Sequence, residues 1–123
     1  MYTLDTNAII YYLKDDPIAV PLLSDIFGSV LPIYISAITE VELFSFPSLT
    51  IEEAERIENL LKTVAILSVD SRIARTAGAL RRTYGLKIPD SIIGATALFT
   101  HSTLLTRNTS DFKKIPDLLL LKI

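Results

Sequence analysis

The order of the elements along the chain predicts an α/β fold, a three-layer α/β/α sandwich in which helices cover both faces of a parallel five-stranded sheet. Short apolar runs typical of strands alternate with helix-like segments from one end of the sequence to the other. Half of the 123 residues are hydrophobic and 21% are charged, which favours strands buried on both faces. The length predicts a single domain over residues 1–123.

Five short runs rich in apolar and β-branched residues are the predicted strands. They cover residues 1–4, 32–35, 64–67, 104–106 and 118–121. Pro32 fits the second run because proline is tolerated at the first residue of a strand. Helix-like segments separate consecutive strands, and parallel neighbours need crossover connections of this kind.

Capping residues mark the predicted helices. These helices cover approximately residues 6–14, 19–27, 36–46, 50–62, 71–84 and 90–101, with a short one between the last two strands. Thr50 and Glu53 have the spacing of a capping box. Asp70 or Ser71 can cap the arginine-bearing helix, and Gly85 fits the left-handed position after its last turn. Pro89 suits the first turn of the next helix.

The composition argues against a membrane or secreted protein. The longest stretches without a charged residue are residues 26–39 and 91–106, of 14 and 16 residues. Both are shorter than the ~20 apolar residues of a membrane-spanning helix. The first residues lack the pattern of a signal peptide, and there are no cysteines for disulfides. We therefore expect a cytoplasmic protein.

Charge is distributed unevenly along the chain. Residues 1–70 contain 11 acidic and 3 basic residues, a net charge of −8, whereas residues 71–123 carry a net charge of +6. An acidic site beside a basic surface would suit a polyanion that is cut with the help of metal ions. Ordinary solvated faces would give the same distribution.

Four acidic residues lie inside or at the edge of apolar segments. They are Asp5, Glu42, Asp90 and Asp111, here called the four acids. Asp5 directly follows the first strand, at the end of a parallel sheet where ligands bind. On its helix, Glu42 shares an otherwise apolar face with Ile38 and Phe46. A buried lone carboxylate is costly, so we expect a cation or a hydrogen-bond donor beside it.

Each of the four acids also has a purely structural interpretation. Asp5, with Thr6 and Asn7 beside it, can cap the first helix, and Asp111 can cap a later one. Asp90 can be an acid of the first helical turn, favoured by the helix dipole. The Glu42 side chain can reach water. Only convergence of all four in one pocket would indicate a site.

Convergence would require a cation. Several carboxylates within a few ångströms repel one another and take up protons unless a divalent ion neutralises them. Oxygen ligands, no cysteine and a single histidine favour Mg²⁺ or Mn²⁺ over zinc.

Each of the four acids lies in a longer segment, and these segments are Leu4-Asp5-Thr6-Asn7, Ile35-Ser36-Ala37-Ile38-Thr39-Glu40-Val41-Glu42-Leu43, Ile88-Pro89-Asp90-Ser91-Ile92-Ile93-Gly94-Ala95-Thr96-Ala97 and Leu105-Thr106-Arg107-Asn108-Thr109-Ser110-Asp111-Phe112. In this order and spacing they resemble the motifs of PIN-domain ribonucleases, in particular the VapC-type toxins of toxin–antitoxin pairs. One departure follows Leu43, where Phe44-Ser45-Phe46-Pro47 replaces the small residue and glycine often seen in the family.

The resemblance implies the strand order 3-2-1-4-5 and a site at the point where that order reverses. It makes the four acids the catalytic and metal-binding set, with Asp5 and Asp90 as the direct ligands of Mg²⁺ or Mn²⁺. Thr6, Thr106 and Asn108 would be supporting polar groups. The implied activity is endonucleolytic cleavage of single-stranded or looped RNA, leaving a 3′-hydroxyl and a 5′-phosphate. The implied partners are a cognate antitoxin protein and a second copy of the chain.

Basic residues of the second half are candidates for contacts with the RNA backbone. They are Arg72, Arg75, Arg82, Arg107 and Lys113, with Arg81, Lys87 and Lys114 as further candidates. These side chains can equally be solvated or paired with acids of a partner.

Three other functions compete with the nuclease. A receiver-like signalling module would need a phosphate-accepting aspartate after a central strand and paired acids after the first strand, and residues 64–70 are the only, poorly formed candidate. A phosphatase of the aspartyl-phosphate type would need a second aspartate two residues after Asp5, where the sequence has Asn7. The stronger alternative is a catalytically inactive PIN-like module that binds RNA or protein. The presence of all four acids favours the enzyme.

Overall fold

The computed structural model describes all 123 residues as five strands and seven helices. The strands are β1 (Tyr2–Leu4), β2 (Ile33–Ser36), β3 (Ala65–Leu67), β4 (Thr103–Thr106) and β5 (Leu120–Lys122). The helices are α1 (Thr6–Leu13), α2 (Ala19–Phe27), α3 (Ala37–Phe44), α4 (Ile51–Leu61), α5 (Ser71–Tyr84), α6 (Ile88–Thr100) and α7 (Thr109–Phe112).

The sheet is parallel throughout and has the order β3-β2-β1-β4-β5, which confirms the expected topology. The central strand is β1, where Thr3 pairs with Tyr34 of β2 and with Leu104 of β4. The strand order reverses between β1 and β4, so the segments that follow these two strands leave the sheet on opposite sides. A crevice opens at the carboxyl ends of β1 and β4 for this reason.

An apolar core lies on each face of the sheet, as the three-layer prediction requires. Leu104 and Leu105 are adjacent in β4, are both fully buried, and belong to different cores because successive strand residues point to opposite faces. Leu105 packs in a cluster with Ile9 of α1, and Leu104 in a cluster with Ile93 of α6. Coverage is weaker at the sheet edge, where Ile66 of β3 is 41% exposed.

The predicted caps form. Thr50 and Glu53 make a capping box, with the Thr50 hydroxyl accepting from the Glu53 amide at 3.1 Å. The Asp70 carboxylate accepts from the Ile73 amide at 3.0 Å, and Gly85 ends α5 in the left-handed region with φ of 69°.

Three element boundaries differ from the prediction by two residues, and the other differences are of one residue. Helix α6 begins at Ile88, two residues early, with Pro89 inside its first turn. Helix α3 ends at Phe44 rather than near Phe46. Strand β5 begins at Leu120 rather than Leu118, because Leu118 closes a turn onto the Ile115 carbonyl at 3.3 Å and packs in the core. No helix is both long and apolar enough to span a membrane.

Candidate active site

Asp5 lies at the floor of the crevice, at the residue that directly follows β1. Its side chain is 3% exposed, and its Oδ2 accepts a hydrogen bond from Thr106 Oγ1 at the end of β4, at 2.8 Å. Asp5 also occupies the N-cap position of α1, but its side chain makes no capping hydrogen bond, so the predicted capping role is wrong. Burial raises the pKa of Asp5, the Thr106 hydroxyl opposes this shift, and the charge of Glu42 adds to it.

Glu42 reaches the crevice from α3 and is held by a hydroxyl of α1. The buried Thr6 donates from Oγ1 to Glu42 Oε1 at 2.7 Å and shares this proton with Thr39 Oγ1 at 3.0 Å. Glu42 is half-buried. The predicted shared face with Phe46 does not exist, because α3 ends before Phe46, which is 44% exposed.

Asp90 lies in the first turn of α6 and is half-buried. Its pKa is raised to about 6, first by burial and then by the charges of Asp5, Asp111 and Glu42. No polar side-chain atom of the protein is buried without a hydrogen-bond partner. Since no hydrogen bond reaches the Asp90 carboxylate, its oxygens are open to solvent. The neighbouring negative charges make the position beside Asp90 favourable for a bound cation.

Asp111 belongs to α7, in the segment that follows β4. The Asn108 side-chain amide donates to Asp111 Oδ2 at 3.1 Å, and the Asn108 backbone amide donates to Thr106 Oγ1 at 2.9 Å. Lys114 lies 3.7 Å from the other Asp111 oxygen. Thr106 therefore connects the Asp5 carboxylate to the segment that carries Asp111.

The four acids thus surround one crevice, and the three predicted supporting residues each contact one of them or link two. In the present side-chain conformations no three acidic or histidine side chains come close enough together to hold one ion. The donor set consists of carboxylate oxygens, which is the chemistry that Mg²⁺ and Mn²⁺ prefer. Together with the repulsion at Asp90, this chemistry fits a hard divalent cation after rotation of the carboxylates.

The candidate RNA-binding residues divide into three groups. Arg75, Arg82 and Lys113 are exposed and make no ion pair. Arg72 is also exposed, but it lies 3.7 Å from Asp70 and its guanidinium is 4.9 Å from the centre of the Phe99 ring. Phe99 is at the end of α6 away from Asp90, so Arg72 is remote from the crevice.

Arg107 does not fit the predicted RNA contact. Its guanidinium forms a bidentate ion pair with Asp16, at 3.0 and 3.2 Å, and lies 3.9 Å from the centre of the Tyr11 ring. These partners occupy the groups that would otherwise bind phosphate. Among the further candidates, Arg81 donates to the Leu86 carbonyl at 2.8 Å.

Two residues of the site were missed in the sequence. Thr39 is fully buried beside Thr6, and its signal is its position three residues before Glu42 on the same helix. Asp16 carried no signal, because its partner Arg107 lies 91 residues away in the sequence.

Comparisons with known proteins give the family and the fold of this chain. The family model of the PIN domain matches residues 2–118. Ribonuclease VapC19 of Mycobacterium tuberculosis is 30% identical in an alignment of 123 positions that covers 96% of this chain and 97% of the relative. A chain of a toxin–antitoxin complex from Klebsiella pneumoniae is 32% identical, with a TM-score of 0.83 and full coverage of both chains. A chain of VapBC2 from Rickettsia felis, bound to a DNA fragment from its promoter, shares the fold at 24% identity, a TM-score of 0.84 and coverage of 99% of this chain and 98% of that one.

Proposed function

Because the chain belongs to the PIN-domain family, we propose that it is a metal-dependent endoribonuclease and the toxin of a toxin–antitoxin pair. The observation that carries this proposal is the crevice, where burial and the charges of three acids from different elements raise the pKa of Asp90. The similarity to a ribonuclease supports the reaction class, and the similarity to a toxin–antitoxin complex supports the biological role. The substrate in this proposal is single-stranded or looped RNA, and we expect the activity in the cytoplasm.

In this proposal Asp5 and Asp90 bind Mg²⁺ or Mn²⁺ directly, and Glu42 and Asp111 complete the anionic set. When bound, the cation would supply Lewis acidity towards a water molecule and positive charge beside the phosphodiester. No side chain acts as a covalent nucleophile, and the products carry a 3′-hydroxyl and a 5′-phosphate.

The neutral side chains around the crevice orient the carboxylates. Thr106 holds one oxygen of Asp5, at 2.8 Å, and Thr6 holds one oxygen of Glu42, at 2.7 Å. Asn108 holds one oxygen of Asp111. Each hydrogen bond restricts the rotation of its carboxylate, so less entropy is lost when an ion or substrate binds.

RNA is held by exposed cations that have no partner within the chain. Arg75, Arg82 and Lys113 meet this description, and Arg82 lies near the end of α5 that adjoins the start of α6 and Asp90. Contacts of this type bind the phosphate backbone and weaken as salt concentration rises.

One observation favours the inactive binding module as the second candidate. No three acids converge closely enough to coordinate an ion in the present side-chain conformations. A protein whose carboxylates never rearranged would bind RNA or a partner without cutting it.

The partners we propose are a cognate antitoxin and a second copy of this chain. A cavity of about 230 Å³ between α1, α3 and α4 supports a protein partner, because Leu13, Leu43 and Phe46 contribute to a largely apolar lining. Val41 and Phe44 are exposed on α3 and support homodimerisation.

We expect light scattering to give a dimeric mass for the purified chain and a larger complex after co-expression with the small protein encoded beside it. A monomeric mass at micromolar concentration would contradict the homodimer.

Metal-dependent cleavage tests the proposed activity directly. Purified protein incubated with a labelled structured RNA is expected to produce discrete fragments in Mg²⁺ or Mn²⁺, and EDTA should stop the reaction because the carboxylates alone supply no Lewis acid. Gel electrophoresis and end-group analysis identify the products. Retention of RNA in a binding assay without cleavage in either metal would favour the inactive module.

A further inference from the structure

Arg107 sits between two residues of the crevice, but its side chain is bound on the other side of the segment. Nη1 and Nη2 donate to the two carboxylate oxygens of Asp16, at 3.2 and 3.0 Å. The guanidinium carbon lies 3.9 Å from the centre of the Tyr11 ring, and Nε donates to the Ile123 carbonyl at 3.3 Å. We call this set of contacts the Arg107 anchor.

The chain places Asp16 for this contact through the way α1 ends. The amide of Asp16 donates to the Tyr11 carbonyl at 3.0 Å, and the amide of Asp15 to the Tyr12 carbonyl at 3.2 Å, which is the Schellman pattern. Asp15 takes the left-handed position with φ of 59°, where glycine is usual. This turn brings Asp16 back against the same helix that carries Tyr11.

Asp16 is also fixed from the other side, by α2. Its Oδ1 accepts hydrogen bonds from the amides of Ile18 and Ala19, at 3.0 and 2.9 Å. Arg107, with these amides, lowers the pKa of Asp16 to about 2, so the carboxylate stays charged in any ordinary buffer. Arg107 is therefore held by a partner that two helices position.

The segment that Arg107 fixes carries the groups that orient two of the four acids. Thr106, on one side, donates to Asp5 at 2.8 Å and accepts from the Asn108 amide at 2.9 Å. Asn108, on the other side, donates to Asp111 at 3.1 Å. Arg107 lies in a bend directly after β4. Its side chain contacts Asp16 and Tyr11, while its two neighbours contact acids of the crevice.

We propose that Arg107 is a positioning residue of the nuclease, which acts through its ion pair with Asp16 to fix Thr106 and Asn108 and, through them, Asp5 and Asp111. This inference rests on the proposed function for its kinetic part. It assigns Arg107 no contact with RNA, and it makes the distant Asp16 a positioning residue as well.

Three variants and one control test this role. Asp16→Asn removes the charge but keeps an oxygen that can cap α2, Arg107→Lys keeps the charge but loses the two-pronged geometry, and the double variant completes a cycle. Ser102→Ala is the control: it removes buried hydroxyl contacts to Thr3 and Thr100, next to the opposite end of β4. Thermal unfolding of each variant provides the correction for stability.

Each single variant is expected to lower kcat for RNA cleavage about tenfold and to weaken Mn²⁺ binding, followed by electron paramagnetic resonance, by a similar factor. The KM for RNA should stay within about twofold, because Arg107 does not bind the substrate. The double variant should be no worse than either single one. Hydrogen exchange of the Asn108 amide should become at least about tenfold faster in these variants. Ser102→Ala should change none of these quantities.

Two kinetic outcomes would overturn the inference. A raised KM with unchanged kcat in Arg107→Lys would make Arg107 a phosphate-binding residue. If Asp16→Asn and Ser102→Ala unfold at the same temperature and change kcat and Mn²⁺ binding equally, the anchor is a stabilising contact only.

Hydrogen exchange keeps the inference separate from the proposed function. If the unmodified protein neither cuts RNA nor binds Mn²⁺, the nuclease proposal has failed, and Asn108 protection alone decides whether the anchor positions this segment. Unchanged protection in Asp16→Asn would then refute it, and lost protection would sustain it.

Discussion

Asp5→Asn and Asp90→Asn are each expected to lower kcat/KM for RNA cleavage by about 100- to 10,000-fold, which corresponds to the loss of several kcal/mol of transition-state stabilisation by a bound cation. Asparagine keeps the shape of the side chain, and at position 5 it keeps an oxygen that can accept from Thr106. What it removes is the negative charge that attracts the ion. Initial rates on a fluorescent RNA over a range of Mn²⁺ concentrations measure the effect.

A matched pair of glutamates in α3 provides the control for this experiment. Glu42 accepts from Thr6 in the crevice, whereas Glu40 lies two residues earlier, about 200° around the helix. Glu42→Gln should lose activity by a similar factor, and Glu40→Gln should retain it. Cleavage above about one tenth of the normal rate in an Asp5→Asn and Asp90→Asn double variant would contradict the assignment.

Asp90→Asn is also expected to make the protein more stable above about pH 6 in the absence of divalent ions. The pKa of Asp90 rises from 3.8 to about 6 on folding, so the unfolded chain ionises first as pH increases. Folding stability is therefore lost between these two values and stays reduced above them. The full shift corresponds to about 3 kcal/mol, and partial exposure of Asp90 reduces our expectation to about 1–2 kcal/mol.

Urea denaturation in EDTA at several pH values measures this gain. The free energy of unfolding of Asp90→Asn should match that of the unmodified protein below about pH 3, where Asp90 is protonated in both the folded and the unfolded chain, and exceed it by about 1–2 kcal/mol near neutral pH. Asp117→Asn, an exposed carboxylate outside the crevice, serves as the control. Equal stabilities at all pH values would show that neither burial nor the neighbouring acids raise the pKa of Asp90.

Local signals in the sequence predicted most of the fold. Alternating strands and helices gave the parallel sandwich, and the Thr50 box, the Asp70 cap and Gly85 mark helix ends because each satisfies backbone groups within a few residues. The resemblance to PIN-domain proteins supplied the strand order, which no local pattern contains. Boundaries failed where the three-dimensional environment decided, as at Leu118, which has the composition of a strand residue but packs in the core as part of a turn.

The site was harder to predict, because hydrogen-bond partners in it are distant in sequence. Asp5 has the sequence position of a helix cap, yet the Thr106 hydroxyl, 101 residues away, takes its carboxylate. In the sequence, Arg107 is one of several cations predicted to bind RNA. Only the folded chain shows its ion pair with Asp16. The spacing of four residues predicts that Phe46 shares a helix face with Glu42. The sequence does not show that α3 stops at Phe44.

Diffraction from crystals grown with MnCl₂, recorded at the manganese absorption edge, tests the presence of a cation among the four acids most directly. We expect one anomalous peak in the crevice, about 2.1 Å from carboxylate oxygens of both Asp5 and Asp90, with their side chains rotated towards it. A map with no peak there, or with manganese bound only to surface acids such as Glu52, would contradict the account.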